Sequence, residues 1–491
     1  MLPIFQARIC IMLGIFVSLA GIVCAGQETC TIAVGRDLYK GHQSRALVHG
    51  SAGVWEGLTF INSNMQARPW LAQSWSSTRE CTVWTFILRP DVCFHNDTKL
   101  KAEHVVQCIQ RIMDNPKYDP AGIYDRVESV QADGGRRVVF HLAGPDPAFP
   151  KKVAYFSSPI IHPDGLGQGG KIQQLIATGG YTLEEVIPGN RLHLQRFPDY
   201  WGKKPLFPNV TFQTITDAET RVMALVSGQV DAIADIGVLF PGQAKRLQAY
   251  PDIEVKKVNT ATTHLMVFHC AKAPFANPEH RLWLGGTIDR KLIVEAIAKG
   301  AGRVAKDPYS DLCREYSFER IAPQPTSIPE GLKKYNQEII LLLHSGTVQR
   351  WPYLEMVQVV SSLLRQHGLK TKIRIKEPGS YHDCVQKGQY HLLFQPYTIL
   401  TGEPDYFYAY WIDSQSPWSC GWDNLRADRL IHRAEQEVEP TKRKALYKEL
   451  AHLMAEELPV LPLYHDQSFY AYRRELGSFD MDHFFKPKLT Q

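Results

Sequence analysis

The residues best suited to chemistry are two clusters of histidine and cysteine: His264 with His269 and Cys270, and the run His382-Asp383-Cys384. Imidazole and thiolate bind zinc-like ions, but the spacing in both clusters is generic, and surface or helix-capping roles account for it better than ligation does. Nucleophilic catalysis finds no framework either. The chain has no GxSxG, HExxH or GxxxxGK[ST], and no GxGxxG in a strand-to-helix setting. His49-Gly50-Ser51-Ala52-Gly53 lacks the first glycine of a nucleophile elbow. An enzyme is therefore not expected, and neither is a catalytic cofactor.

The first residues place the chain outside the cytoplasm. Arg8 precedes the apolar run from Ile9 to Val23, and Cys24-Ala25-Gly26 follows. A basic residue, an apolar stretch and small residues read as a secretory signal peptide, with cleavage after Ala25 and a mature chain starting at Gly26. A single membrane anchor is the alternative reading. Lipidation at Cys24 ranks behind plain export, because Gly21 stands where a leucine is usual. Export makes the eight later cysteines (Cys30, Cys81, Cys93, Cys108, Cys270, Cys313, Cys384 and Cys420) candidates for disulfides, with small buried residues as the bland alternative. No CxxC pair occurs.

Such residues need elements to position them. At 491 residues, 44% hydrophobic and 21% charged, the chain has material for several cores. Its net charge of +5 is spread without basic runs, which gives nucleic-acid binding no support. Apolar spacing predicts helices over 101–114, 218–227 (capped by Asp217), 353–367 and 442–457. Strands are expected over 191–196, 210–216, 263–268, 338–343, 371–375 and 392–394, giving an α/β or α+β protein. Trp84, Phe86 and Leu88 alternate with Thr85 and Ile87 as a strand, and Val92 to Phe94 read as its return, so Cys81 and Cys93 are expected to approach across a hairpin.

Widely separated stretches resemble one family, the extracellular solute-binding proteins, family 5, of peptide and nickel ABC importers. They are Val54-Trp55-Glu56-Gly57-Leu58, Pro69-Trp70-Leu71-Ala72-Gln73-Ser74-Trp75, Trp84 to Arg89, Thr178-Gly179-Gly180-Tyr181 and Tyr200-Trp201-Gly202. Further on come Val230-Asp231, Ala273-Pro274-Phe275, Ile288-Asp289-Arg290, Gly402-Glu403-Pro404-Asp405 and Leu446-Tyr447 leading to Pro462-Leu463-Tyr464. The texture of Pro69 to Arg89 and Ala271 to Phe275 is nearest the nickel branch. The resemblance implies a two-lobed periplasmic-binding-protein fold of type II, with mixed sheets flanked by helices. One lobe would hold residues 26–262 and 466–491, with an extra subdomain at about 61–180 that contains the aromatic strand. The other would hold 263–465. Lobes of this kind shut over ligand by a hinge closure.

The resemblance also nominates ligand contacts: Arg350, Tyr397, Thr398 and Glu403, together with Trp418 and His269. Arg350 falls where dipeptide-binding relatives hold the ligand carboxylate. A guanidinium fork matches a carboxylate with two parallel bonds. Other cleft positions depart from the family. Leu400 stands where peptide binders carry the aspartate that pairs with the peptide ammonium. The tryptophan, histidine and arginine of the nickel branch would fall near Thr398, Ser416 and Ser157, and none is present. Asp97 replaces a turn glycine, which aspartate's tolerance of left-handed backbone permits. The implied function is a periplasmic receptor, monomeric and not binding nucleic acid. It would deliver a nickel chelate or short peptide to the permease subunits of an ABC importer. The alternative is a ligand sensor built on the same fold.

Overall fold

The computed structural model describes residues 28–39, 53–119, 122–155, 158–309, 311–318 and 327–489. The leader, Cys24, Gly26, most of the His49–Gly53 stretch and Ser157 lie outside them. Among the described residues, eleven strands form one sheet. Its order is Lys370–Lys376, Glu338–His344, Leu392–Thr398, Ile253–Phe268, Val460–Arg473, Ala232–Ile233, Thr29–Val34, Asn209–Thr214, Arg191–Arg196 and Tyr181–Ile187. Gly302–Val304 pairs beside Val460–Arg473.

Two of these strands belong to both halves of the molecule. Ile253–Phe268 and Val460–Arg473 run antiparallel along almost their whole length, and their register shifts between Asn259 and Thr263 and again between His264 and Leu265. Such irregularities let a sheet bend locally, and here they fall midway along both strands. The expected strand at 263–268 thus continues ten residues upstream, through Ile253 to Thr262. On one side of the crossing, Glu338–His344 runs parallel to both Lys370–Lys376 and Leu392–Thr398. On the other, Thr29–Val34 runs parallel to Asn209–Thr214 and Ala232–Ile233.

The helices read from periodicity form close to their expected limits, as Ala102–Met113, Ala218–Val226, Tyr353–Gln366 and Pro440–Glu457. The Asp217 carboxylate accepts the Thr220 amide at 2.7 Å, an N-cap worth about 1 kcal/mol.

The aromatic strand pairs differently from expectation. Val83–Leu88 lies between Ala72–Ser77 and Arg137–Leu142 in a four-stranded sheet, and residues 92–94 form no return strand. Phe94 is buried instead beneath the turn in which Asp97 takes a φ of 63°. Cys81 and Cys93 consequently sit near opposite ends of Val83–Leu88, roughly 20 Å apart at strand rise. Cys81 accepts the Asp146 amide at its carbonyl, while Cys93 bridges to Lys99, so the two cannot bond. The aromatic side chains are core. Phe86 meets Phe140 at 5.7 Å and Phe149 at 6.2 Å, and the apolar face of Ala102–Met113 lies in the same cluster. Truncating Phe86 to alanine would cost about 3–5 kcal/mol.

Most of the motif residues around this subdomain meet at Glu56. Its Oε1 accepts from Trp70 Nε1 and the Tyr200 hydroxyl, both at 2.8 Å. Its Oε2 accepts from the Thr178 hydroxyl at 2.8 Å and Trp201 Nε1 at 3.0 Å. Each oxygen thus faces one indole N–H, which can only donate, so a carboxylate fits here and an amide does not. Burial outweighs the four hydrogen bonds and raises the Glu56 carboxyl to about 7.

Candidate functional site

In open α/β sheets, ligands lie outside the carboxyl ends of parallel strands. Both halves of this sheet direct such ends toward the interlobe boundary. After Thr29–Val34 comes Arg36, and after Ala232–Ile233 comes Asp235. The Arg36 fork grips Asp235, with Nε to Oδ2 at 3.1 Å and the second nitrogen to Oδ1 at 2.8 Å. Opposite them, after Glu338–His344, the His344 ring caps the turn Ser345–Val348 by accepting the Gly346 amide at 2.9 Å. Arg350 follows and donates from Nε to the Gly346 carbonyl at 2.9 Å.

Arg350 is packed against Gly237, in the segment that follows Ala232–Ile233. Gly237, at a φ of 61°, leaves room for it: a Cβ there would stand 2.8 Å from both the Arg350 Cβ and its carbonyl oxygen. Burial, then the Arg36 guanidinium, pull Arg350 below the ordinary arginine range, and Asp235 opposes them. Arg36 and Asp235 neutralise each other, so Arg350 leaves the cluster one positive charge in excess. Among the described residues, its terminal guanidinium nitrogens have no hydrogen-bond partner. A cavity of about 630 Å³ opens on its hinge side, bordered by Gly237, Phe240, Trp351 and Asp466.

An aromatic wall continues from Arg350's side of the cleft. Trp418 stacks on Tyr410 at 5.5 Å, Tyr410 meets Tyr406 at 6.0 Å, and Tyr406 stacks on Tyr397 at 6.1 Å. Tyr155 reaches Tyr406 from the other lobe at 6.2 Å. His382 packs against Trp418 at 5.3 Å and near His344 at 6.4 Å. Burial lowers both imidazoles from their ordinary value, with Arg350 adding to the effect on His344, so both are neutral at pH 7. The Tyr397 hydroxyl is buried without a hydrogen-bond partner among the described residues.

The other nominated residues fall in different places. Thr398 ends its strand at the crossing, its hydroxyl 2.6 Å from that of Thr262. Glu403 is buried in an ion cluster that joins residues far apart in sequence. Lys151 bonds to its Oε1, while Oε2 accepts from Arg443 at 3.0 Å and the Tyr316 hydroxyl at 3.1 Å. Beside it, Lys152 lies 2.8 Å from Asp146 and 3.3 Å from Asp405. Burial would lower Lys152, but Asp146 and Asp405 more than reverse this and hold it above the ordinary lysine range. His269 is not brought to the others. It follows Phe268 at the far end of the crossing strand, about seven residues or 20 Å beyond Thr262, with its ring against Tyr390.

The metal clusters considered from sequence dissolve. His264 is held by Asp466 at 3.2 Å and the Tyr353 hydroxyl at 2.7 Å, and the described residues contain no group of three side chains able to hold a metal ion. Sequence reasoning missed Arg36, Asp235, His344, Tyr406 and Tyr410, and considered His382 only as a metal ligand beside Asp383 and Cys384. The signal open to it was position: His344 ends a strand, and the others lie in the segment that follows a strand's carboxyl end.

Comparison with known proteins agrees with this architecture. A dipeptide-binding protein of Pseudomonas aeruginosa is 24% identical over 467 residues, covering 87% of this chain and 86% of its own. The probable ABC transporter periplasmic-binding protein SapA of Escherichia coli is 25% identical over 449 residues, covering 83% and 80%. Among solved structures, NikA of Brucella suis in complex with Fe(III)-EDTA superposes with a TM-score of 0.84 at 19% identity, over 94% of this chain and 99% of that one. DppA of Helicobacter pylori in complex with the peptide STSA gives 0.78 at 21% identity, over 94% and 98%. The fold is thus the two-lobed one of periplasmic binding proteins. Residues 66–418 match the model of the bacterial extracellular solute-binding proteins, family 5 (middle region), and the chain belongs to that family.

Proposed function

We propose that the protein is the exported receptor of an ABC importer, capturing a small carboxylate-bearing solute between its lobes and presenting it to the permease subunits. The observation that carries this reading is Arg350. It is a half-buried cation whose terminal guanidinium nitrogens are unengaged among the described residues, at the meeting of strand carboxyl ends from both lobes. The ligand-facing set is Arg350, Tyr397, Thr398 and Trp418, joined by His382 and Tyr406. Glu403 acts in closure, and His269 lies apart. The lobes divide at 26–262 with 466–491 and at 263–465, with the extra subdomain near 61–180. The receptor works outside the cytoplasm as a monomer, after removal of the leader, and performs no catalysis.

A metal chelate fits the cleft better than a free peptide. The buried carboxylates near it are already matched: Asp235 by Arg36, Glu403 by Lys151 and Arg443, Asp405 by Lys152, and Asp466 by the hydrogen bonds of Thr260, Trp351 and Ser468. Leu400 offers a peptide ammonium nothing. An ion would have to arrive already chelated, with its carboxylate on Arg350 and the neutral, exposed His382 free to add one nitrogen. Calorimetry of ligand-stripped protein tests this, using nickel with and without free histidine, then a dipeptide mixture. Binding of the nickel–histidine mixture, lost by at least tenfold in Arg350→Ala, is expected. Tight dipeptide binding with no response to nickel in either form would refute the chelate, and an Arg350→Ala protein of unchanged affinity would refute the clamp.

A further inference from the structure

We propose that Cys270 and Cys420 form a disulfide that staples the ligand-wall loop to the central sheet; this rests on the export reading for its occurrence in cells. The two residues meet backbone to backbone. The Cys270 amide donates to the Cys420 carbonyl at 2.8 Å, both side chains are buried in one core cluster, and the Cys270 thiol donates to the Phe268 carbonyl at 3.7 Å. The next residues are equally close, since a Cβ on Gly421 would stand 3.0 Å from the Ala271 Cβ. A backbone hydrogen bond of this kind sets Cα atoms about 5–6 Å apart, inside the range a disulfide needs. No other two cysteines among the described residues share a hydrogen bond. The Cys108 thiol bonds to the Ile161 carbonyl, Cys313 to the Gly402 carbonyl, Cys384 to the Gln389 side chain and Cys81 to the Ser77 hydroxyl.

The bond would have a purpose. Cys270 closely follows the crossing strand that ends at Phe268, while Cys420 sits in the stretch 412–424 between the helices Asp405–Trp411 and Leu425–Gln436. That stretch has no regular structure and carries Trp418. Its other attachments are the buried Ile412 and Trp422, the Trp418–Tyr410 stack and short polar contacts such as the Ser416 hydroxyl on the Tyr410 carbonyl at 2.8 Å.

Both thiols are buried, so oxidation belongs to folding, before the loop docks. The oxidant is a small-molecule or protein disulfide, R–S–S–R. One cysteine thiolate attacks it and releases RS⁻. The second then attacks the mixed disulfide and releases the other RS⁻. The protein loses two electrons and two thiol protons, and the incoming disulfide becomes two RSH.

The test refolds reduced, denatured protein with and without excess oxidised glutathione, quenches in acid, alkylates without reduction and maps tryptic peptides by mass. A Cys270 peptide linked to a Cys420 peptide is expected only with the oxidant. Reducing that bond should lower the melting temperature by roughly 5 °C, a shift absent from Cys270→Ser/Cys420→Ser. Recovery of both cysteines alkylated, or each capped by glutathione, after oxidative refolding would overturn the proposal. The same map on protein from cells separates the two readings: a link in vitro with free thiols in vivo upholds the pairing and refutes export.

Discussion

Removing Lys151 should weaken ligand binding although Lys151 touches no ligand. On the proposed lobe division its ammonium crosses from one lobe to the buried Glu403 carboxylate of the other, and its side chain is only 17% exposed. Glu403 keeps Arg443 and the Tyr316 hydroxyl, both in its own lobe, when the lobes part. The Lys151 contact therefore favours the closed state alone. Close charge pairs at interfaces couple by about 1.5–7 kcal/mol. Water regained by both groups on opening brings the net to the low end, about 2 kcal/mol, or roughly 30-fold in affinity if the empty protein is mostly open. Calorimetry of Lys151→Met should show that loss, and small-angle scattering should show a more open liganded protein at equal saturation. A double-mutant cycle with Glu403→Gln separates closure from contact. If Glu403 acts only through the latch, its substitution adds little once Lys151 is gone. Affinity within twofold of wild type in Lys151→Met, or a full further loss from Glu403→Gln in that background, would refute the latch.

Three further outcomes follow from specific contacts. The Glu56 carboxyl titrates higher folded, at about 7, than its ordinary 4.5. Its contribution is therefore complete below pH 4.5 and lost as pH rises to 7, a change of a few kcal/mol. Urea melts of wild type between pH 4.5 and 8 should show that decline. Glu56→Gln should flatten it while lowering stability by about 1–3 kcal/mol, since its amide faces an indole N–H; equal slopes in both proteins would contradict this. Gly237→Ala places a methyl against Arg350 only when the lobes are shut, so calorimetry should show affinity falling about tenfold, beyond the general strain of a left-handed alanine; unaltered affinity would show that the lobes close without that contact. His269→Ala should leave affinity within twofold by calorimetry, because His269 lies at the far end of the crossing strand from Thr398.

Periodicity carried the helices and the short buried strands, because those signals are local. It missed the first ten residues of Ile253–Phe268, where charged side chains such as Lys256 and Lys257 face solvent and blur the alternation. It also gave the aromatic strand the wrong partner: Val92 to Phe94 are apolar because they plug the subdomain core, and Arg137–Leu142, some fifty residues away, supplies the real neighbour. The Cys81–Cys93 expectation failed with it. No local pattern could announce that Cys270 lies beside Cys420, for the contact depends on how a helix after one strand returns its loop to the end of another.

The same distinction explains why the family was legible and the ligand was not. Tyr200 and Trp201, Trp70 and Thr178 sit far apart in sequence, yet all serve one buried carboxylate, and any change there leaves a polar atom unpaired in the core. Residues bound by that constraint have few alternatives, so they read as motifs. Arg350, His382, Tyr406 and Trp418 are half-buried or exposed and only border a cleft, where each answers to the solute rather than to the scaffold. Glu403 shows how the two can be confused. It stands in a motif, next to the ligand wall, with the right chemistry for a ligand contact, but its oxygens are already filled by Lys151, Arg443 and Tyr316. Its chemistry is directed at the opposite lobe, which makes it a determinant of how firmly the receptor shuts.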